Sequence, residues 1–327
     1  MKIFITGGKG QLGSELTQLL ELGGIPYVAP SRGELDVTDG QVLKCALDDQ
    51  ADEQPVTAVI HAAALTQVDL CEAQWEQAWV VNAVATQRLA QLCAERKLPL
   101  IYLSTDYIFD GAKREPYEVD DPPAPLNVYG ASKLAGEEAV RQLTERHYIV
   151  RTAGVFSTSG HNFPRAILQA AAHGRPLRVV DDQMMVPIYA KDLAEAVLRL
   201  LGIVIAPHKF HSAGMLNAAP YGIYHITNQG SCSWWAFAQE IIRQAGWKVN
   251  VEPISSAELN RPARRPAYSV LSLASAIRAG LMLRSWPDTL SDFLSQLRMT
   301  NPELFPHPTA TSYSEGGNQL ANTLLYH

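Results

Sequence analysis

Tyr129 and Lys133 stand four residues apart in Tyr129-Gly130-Ala131-Ser132-Lys133, the spacing that puts two side chains on one face of a helix. A phenol with an ordinary pKa of about 10 is a poor proton carrier at neutral pH. A neighbouring ammonium favours the phenolate and draws that pKa towards the useful range. Such pairs are common on helices, so the pair alone says little. Ser104-Thr105-Asp106-Tyr107 adds hydroxyls at the end of an apolar run, the place where parallel sheets bind ligands and where a hydroxyl can hydrogen-bond a substrate carbonyl. Near the N-terminus, Thr6-Gly7-Gly8-Lys9-Gly10-Gln11-Leu12-Gly13 spaces three glycines as G-x-x-G-x-x-G. These positions serve a tight turn, close approach to a pyrophosphate and close helix–strand packing, and the helix that follows directs its free N–H groups at the anion. The three elements point to one cleft, in which Thr105, Tyr129 and Lys133 act beside a dinucleotide.

A nicotinamide dinucleotide is the expected ligand. A site for NADH usually ends its second strand in Asp or Glu to hold the ribose 2′-hydroxyl, whereas this chain has Ala29-Pro30-Ser31-Arg32. Arg32 offers a planar fork of donors suited to a 2′-phosphate, so NADPH is favoured, with NADH as the alternative.

The elements that must position these groups follow from hydrophobic spacing. Residues 3–6, 27–29, 58–61, 100–104 and 148–151 read as buried strands, and 11–22, 41–49, 76–96 and 129–146 as helices. Strand and helix in alternation imply parallel strands with right-handed crossovers. The fold class expected is α/β, a Rossmann-type doubly wound parallel sheet with a smaller C-terminal substrate-binding lobe. Beyond residue 152 the pieces shorten: helices over 163–173, 189–201, 234–245 and 288–299, strands over 177–180 and 221–227, and an irregular stretch over 202–220. Residues 1–152 are assigned to the NAD(P)-binding domain, with the 189–201 helix packing back on it. Residues 153–300 are assigned mainly to the substrate lobe, and 301–327 to a polar tail with little order.

Composition narrows the function. The chain of 327 residues is 47% hydrophobic and 18% charged, with a formal charge of −6 and no basic stripe, which argues against nucleic acid. Cys45, Cys71, Cys93 and Cys232 lie far apart without a C-x-x-C pair, against a zinc site or disulfide framework and in keeping with a reducing compartment. No apolar run suits a signal peptide or a membrane span, so a cytoplasmic location is expected. His61 reads as a packed histidine, one of Trp234 and Trp235 as core, and Arg264 and Arg265 as loop arginines that become a clamp only if they face a diphosphate.

Together these residues resemble the extended short-chain dehydrogenase/reductase family, and within it the dTDP-4-dehydrorhamnose reductases. The likeness runs from about residue 2 to 298, apart from 202–220. It is carried by the glycine loop, Leu35-Asp36-Val37-Thr38-Asp39, His61-Ala62-Ala63-Ala64-Leu65-Thr66-Gln67-Val68-Asp69 and Ser104-Thr105-Asp106-Tyr107-Ile108-Phe109-Asp110-Gly111. Further matches are Pro125-Leu126-Asn127-Val128-Tyr129-Gly130 with Lys133-Leu134-Ala135-Gly136-Glu137, Asp182-Gln183, and Pro262-Ala263-Arg264-Arg265-Pro266 followed by Ser269.

The resemblance implies NADPH-dependent reduction of a nucleotide-linked 4-keto-6-deoxy sugar, dTDP-4-dehydrorhamnose to dTDP-L-rhamnose. It places Gly7, Gly10, Gln11, Leu12 and Gly13 at the pyrophosphate, Asp36 and Val37 at the adenine, and Ala62, Ala63 and Ala64 along the middle of the cofactor. Thr105, Tyr129 and Lys133 become the catalytic triad, Tyr129 and Lys133 also touching the cofactor. Ser104, Thr105, Asp106 and Gln183 face the sugar, and Arg264 the phosphates. Some members use a divalent cation; Mg2+ is left open, with no ligand constellation in this sequence to support it, and so is a homodimer. Two departures fall where the sugar would sit: Ala153-Gly154-Val155 replaces the family's Ser-Trp-Val, and Met184-Met185-Val186-Pro187-Ile188 follows Asp182-Gln183 in place of x-Gly-x-Pro-Thr. Another nucleotide sugar therefore stays open as substrate. So does a non-catalytic subunit similar to the regulator of methionine adenosyltransferase, against which the intact Thr105, Tyr129 and Lys133 argue.

Overall fold

The computed structural model describes residues 1–48, 54–205 and 213–306. The first half of the chain runs β1 (Lys2–Thr6), α1 (Gln11–Gly23), β2 (Tyr27–Val28), α2 (Gly40–Asp48), β3 (Val56–His61), α3 (Val68–Ala73) and α4 (Trp75–Trp79). A π-helical turn (Val80–Val84) joins α4 to α5 (Ala85–Glu95), and β4 (Leu100–Thr105), α6 (Val128–Leu143) and β5 (His147–Thr152) follow. The second half runs β6 (Val155–Phe156), α7 (Phe163–Ala172), β7 (Leu177–Val180), β8 (Met184–Met185), β9 (Ile188–Tyr189), α8 (Ala190–Leu200), β10 (Ile203–Ile205) and β11 (Ala213–Met215). It ends in β12 (Gly222–His225), β13 (Cys232–Ser233), α9 (Trp234–Ala245), β14 (Val251–Ile254), α10 (Ser256–Leu259), α11 (Ala274–Arg278) and α12 (Trp286–Thr300).

Six parallel strands form the main sheet in the order β2-β1-β3-β4-β5-β12. Side chains alternate across it. Ile3 and Ile5 of β1 pack with Leu12, Leu16 and Leu20 of α1 and with Leu193 of α8 on one face. Phe4 packs with Leu43 of α2, Leu89 of α5 and Val140 of α6 on the other. A sheet covered on both faces needs apolar residues at every position of its strands, which is why β1, β3 and β4 read as continuous apolar runs. A second core binds α7, α9 and α12 around Phe156, Phe237 and Phe293. Since β2 and β3 flank β1 on opposite sides, the loops after β1 and β3 diverge and open a crevice at the carboxyl edge of the sheet.

Several elements differ from the sequence reading. The helix expected over 76–96 is interrupted at Val80–Val84, where the Asn82 side chain bonds both backbone groups of Leu65. Segment 221–227, expected in the smaller lobe, supplies β12 of the main sheet. Within the stretch read as irregular, β10 and β11 pair antiparallel; residues 206–212 between them lie outside the described residues. The tail departs from expectation at its start: Pro302–Leu304 is a 3-10 turn, Leu304 and Phe305 are buried in the second core, and the Arg298 guanidinium lies 4.4 Å from the Phe305 ring centre. Residues 307–327 lie outside the described residues. Among those described, no helix is long and apolar enough to cross a membrane.

Candidate active site

The glycine loop turns directly from β1 into α1. Gly7 holds φ +72°, and a Cβ there would lie 2.8 Å from the Ala63 nitrogen, so only glycine fits between the loop and the chain leaving β3. A Cβ on Gly13 would lie 2.2 Å from the Gly7 carbonyl oxygen, so the helix and loop meet backbone to backbone. Gly10 caps α1 without any side-chain hydrogen bond, leaving first-turn N–H groups of the helix for an anion. Ala62, Ala63 and Ala64 leave β3 beside this loop, and the Ala63 N–H donates to Thr6 Oγ1 at 3.3 Å. A dinucleotide phosphate fits this cradle. Leu12 is buried against the sheet. Arg32 and Asp36 are exposed at the outer rim, Asp36 accepting from the Thr38 backbone at 2.9 Å and the Thr38 hydroxyl at 2.7 Å. Val37 packs partly buried beneath them.

His61, at the end of β3, is buried between the Thr6 hydroxyl (2.6 Å from Nδ1) and the Thr86 hydroxyl (3.0 Å from Nε2). Burial and the Lys133 charge hold it neutral, with a pKa lowered to about 3. It is a packing group.

A cleft of about 640 Å³ opens from the carboxyl ends of β4 and β5 into the second lobe. Its walls gather Gln11, Ser104, Thr105, Asp106, Tyr129 and Gln183 from the sequence-predicted set. Tyr129 sits in the first turn of α6, whose start is fixed by Asn127: its Oδ1 accepts the Gly130 N–H at 2.8 Å and its Nδ2 donates to the Arg264 carbonyl at 2.8 Å. The Tyr129 ring meets Tyr107 edge to face at 6.1 Å between centres, and Tyr129 and Thr105 line the cleft together. Thr105 donates to Asp106 at 3.1 Å, and Asp106 also bonds Ser269. Burial raises the Asp106 carboxyl to about 7 against these hydrogen bonds.

Lys133, one turn along α6, is buried with its Nζ 4.1 Å from the Tyr102 ring centre. Burial lowers it to about 7, opposed by the Glu137 charge. The sequence reading had this ammonium drawing the Tyr129 phenol down. Burial wins instead and pushes the phenol above its ordinary value, with Thr105 as the main opposing influence. A phenol in that state keeps its proton at neutral pH, as a proton donor must.

Gln183 is held by a donated bond to Ser256 Oγ at 2.7 Å. Ser256 spends its own proton on Asp182 at 2.6 Å, so the amide nitrogen must face Ser256 and the Gln183 Oε1 is left as an acceptor without a protein partner. Thr152, on the same cleft wall, likewise has an unpartnered hydroxyl. The Ser104 hydroxyl donates to Glu137, which turns its one proton away from the cleft. Arg264 does not line the cleft; it is exposed and borders a neighbouring cavity of about 390 Å³. Arg261 and Arg265 line the cleft instead. Both are held by Asp69 in the first turn of α3: Arg265 gives a two-pronged bond at 2.9 and 2.9 Å, and Arg261 adds one at 3.0 Å. These bonds keep the Asp69 carboxyl well below its ordinary value, at about 2.

The sequence reading singled out neither Arg261 nor the Asp69 clasp, although Asp69 ends one of the quoted motifs. Trp234 is buried, packs on Phe163 at 4.8 Å and lines the cleft. Met184, Met185, Ala153 and Gly154, the positions that depart from the family pattern, line it too. Among the described residues no three His, Cys, Asp or Glu side chains gather to hold a metal ion.

The profile described as the RmlD substrate binding domain matches residues 1–299. The dTDP-4-dehydrorhamnose reductase of Streptomyces griseus is 40% identical over 291 residues, 88% of this chain and 91% of its own. The spore coat polysaccharide biosynthesis protein SpsK of Bacillus subtilis is 34% identical over 295 residues, 90% of this chain and 97% of its own. A solved structure of dTDP-4-dehydrorhamnose reductase from Bacillus anthracis in complex with NADP has a TM-score of 0.80 and 33% identity, covering 90% of this chain and 99% of that one.

Proposed function

Because the chain belongs to the RmlD substrate binding domain family, we propose that it reduces the 4-keto group of a dTDP-linked 6-deoxy sugar with NADPH, converting dTDP-4-dehydrorhamnose to dTDP-L-rhamnose. It is an NAD(P)H-dependent reductase of that family; the sugar and the preference for NADPH are the proposal. The observation that carries it is the convergence of Tyr129, Thr105 and Asp106 on one cleft at the carboxyl end of β4, Thr105 bonded to Asp106 and Tyr129 one helical turn from Lys133.

NADPH, when bound, supplies the hydride that the ketone carbon accepts. The glycine loop and the first turn of α1 hold its pyrophosphate, Ala62, Ala63 and Ala64 its middle portion, Asp36 and Val37 its adenine, and Lys133 its nicotinamide ribose. Arg32 at the rim suits a 2′-phosphate. Tyr129 gives its proton to the carbonyl oxygen as that oxygen gains charge, and the Thr105 hydroxyl, turning from Asp106, donates a second hydrogen bond to the same oxygen. Asp106, poised near neutrality, then passes a proton back through Thr105 to the phenolate. Gln183 accepts from a sugar hydroxyl. The cleft arginines face the diphosphate, a role that Arg265 and Arg261 fit better than Arg264.

NADPH oxidation measured with dTDP-4-dehydrorhamnose, and with other nucleotide-linked keto sugars in parallel, tests the reading. Turnover with the first and a dTDP-L-rhamnose product by mass spectrometry are expected. Tight NADPH binding without turnover of any keto sugar would favour a regulatory subunit instead.

A further inference from the structure

Three side chains close a triangle between α3, the start of α6 and the loop that carries Arg261 and Arg265. On α3, Asp69 and Glu72 stand three residues apart and so share a face. Asp69 accepts the Ala263 N–H at 3.1 Å besides its bonds from the two arginines. Glu72 accepts the Val128 N–H at 2.9 Å, at the first residue of α6 and next to Tyr129. Asn127 closes the third side. Its Oδ1 caps α6 at the Gly130 N–H, and its Nδ2 donates to the Arg264 carbonyl, 137 residues along the chain. Asn127 and Ala263 are buried while the Arg264 side chain is exposed, so the loop is gripped by its backbone. Each side of the triangle includes a bond to a backbone group, which fixes where the chain runs as well as where a side chain points. Arg261, Arg265 and Tyr129 all line the cleft, and the triangle holds them in one frame.

We propose that Asn127 is a positioning residue that sets the cleft arginines against the nucleotide diphosphate at a fixed distance from Tyr129. A nucleotide-linked sugar is anchored at one end by its phosphates and reacts at the other. A shift of the arginine loop therefore moves the ketone off the phenol, and a misplacement of about 1 Å can cost about 10²-fold in rate. Of the residues that cap helices well, only asparagine carries an amide to donate outward. One side chain thus starts the helix beneath Tyr129 and anchors the loop that receives the phosphates.

The inference rests on reading Arg261 and Arg265 as the partners of the diphosphate, and its test keeps the two apart. The affinity for dTDP is measured by calorimetry on the full chain for the parent, Asn127→Asp, Asn127→Ser and Arg261→Ala/Arg265→Ala. Aspartate and serine both keep the cap of α6 and lose the bond to Arg264, serine without an added charge. Each should weaken dTDP binding by about tenfold, the worth of one charge-assisted hydrogen bond, with NADPH affinity within about twofold of the parent. In the background lacking both arginines, Asn127→Ser should weaken dTDP by less than about twofold more, because a residue that acts through the arginines has nothing left there to position. Where the arginine variant binds dTDP weakly, two results overturn the role of Asn127 and leave the arginines at the phosphates: parent affinity in Asn127→Asp and Asn127→Ser, or an equal loss from Asn127→Ser in both backgrounds. Parent affinity in the arginine variant overturns the reading of the arginines and the inference with it.

Discussion

Gly13→Ala strikes the cofactor loop at its tightest point. A Cβ at this position lies 2.2 Å from the Gly7 carbonyl oxygen and 2.7 Å from both the Cα and the carbonyl carbon of Gly8. Carbon and oxygen normally approach no closer than about 3.3 Å, so the Gly7 carbonyl must withdraw by about 1 Å. It has little freedom to do so: it accepts the Gly10 N–H at 2.9 Å, and Gly7 is already packed against Ala63. Overpacking of this kind costs about 1–3 kcal/mol and the lost hydrogen bond about 1 kcal/mol. At roughly 2 °C per kcal/mol for a chain of this size, the melting temperature should fall by roughly 4–8 °C. A loop displaced by that amount also forfeits at least two N–H bonds to the pyrophosphate, about 1.5 kcal/mol each, or about 100-fold in NADPH affinity. Thermal melting without cofactor and a fluorescence titration with NADPH measure the two effects. Gly33→Ala is the control, since a Cβ there comes no nearer than 4.0 Å to Ser31 Oγ, and both quantities should stay at their parent values. A Gly13→Ala protein that melts early yet binds NADPH within about threefold of the parent would show that this loop does not hold the dinucleotide.

Tyr129→Phe keeps the ring against Tyr107 and should lower kcat by about 10²–10⁴-fold while NADPH affinity stays within about twofold, read by steady-state kinetics and titration. Arg265→Ala should raise KM for the nucleotide sugar by about tenfold or more, and Arg264→Ala by less than about twofold; equal effects would put Arg264 at the phosphates. Asp69 has a folded-state pKa of about 2 against an ordinary 3.8, so its contribution to stability is complete above about pH 4 and is lost as pH falls towards 2. Asp69→Asn should therefore melt earlier than the parent at neutral pH, with the gap closing on acidification through that window.

Much of the candidate site was legible because the groups proposed for its chemistry are placed by local spacing. The glycine loop, the Tyr129–Lys133 pair and the strand ending at Thr105 each announce themselves within eight residues or fewer, and the strands between them are continuous apolar runs because both faces of the sheet are covered. What stayed hidden depends on partners far along the chain. Arg264 and Arg265 are adjacent in an irregular segment with no periodicity to say which faces inward; the bonds from Asp69, 196 residues away from Arg265, decide it. Short β12 carries the same apolar signature as a strand of the smaller lobe, and its pairing with β5 is a matter of topology. The π-helical turn at Val80–Val84 leaves the helical spacing of its neighbours intact. The protonation of Tyr129 and Lys133 is governed by burial, which a four-residue spacing does not report.

In the proposed reaction, hydride from NADPH and a proton from Tyr129 meet on one sugar ketone. Incubating the protein with NADPH deuterated at the transferring position and dTDP-4-dehydrorhamnose, then locating the label by NMR, tests it most directly. One deuterium at C4 of the product with parent protein, and none with Tyr129→Phe over the same time, is expected. Label absent from C4, or arriving at an undiminished rate with Tyr129→Phe, would contradict it.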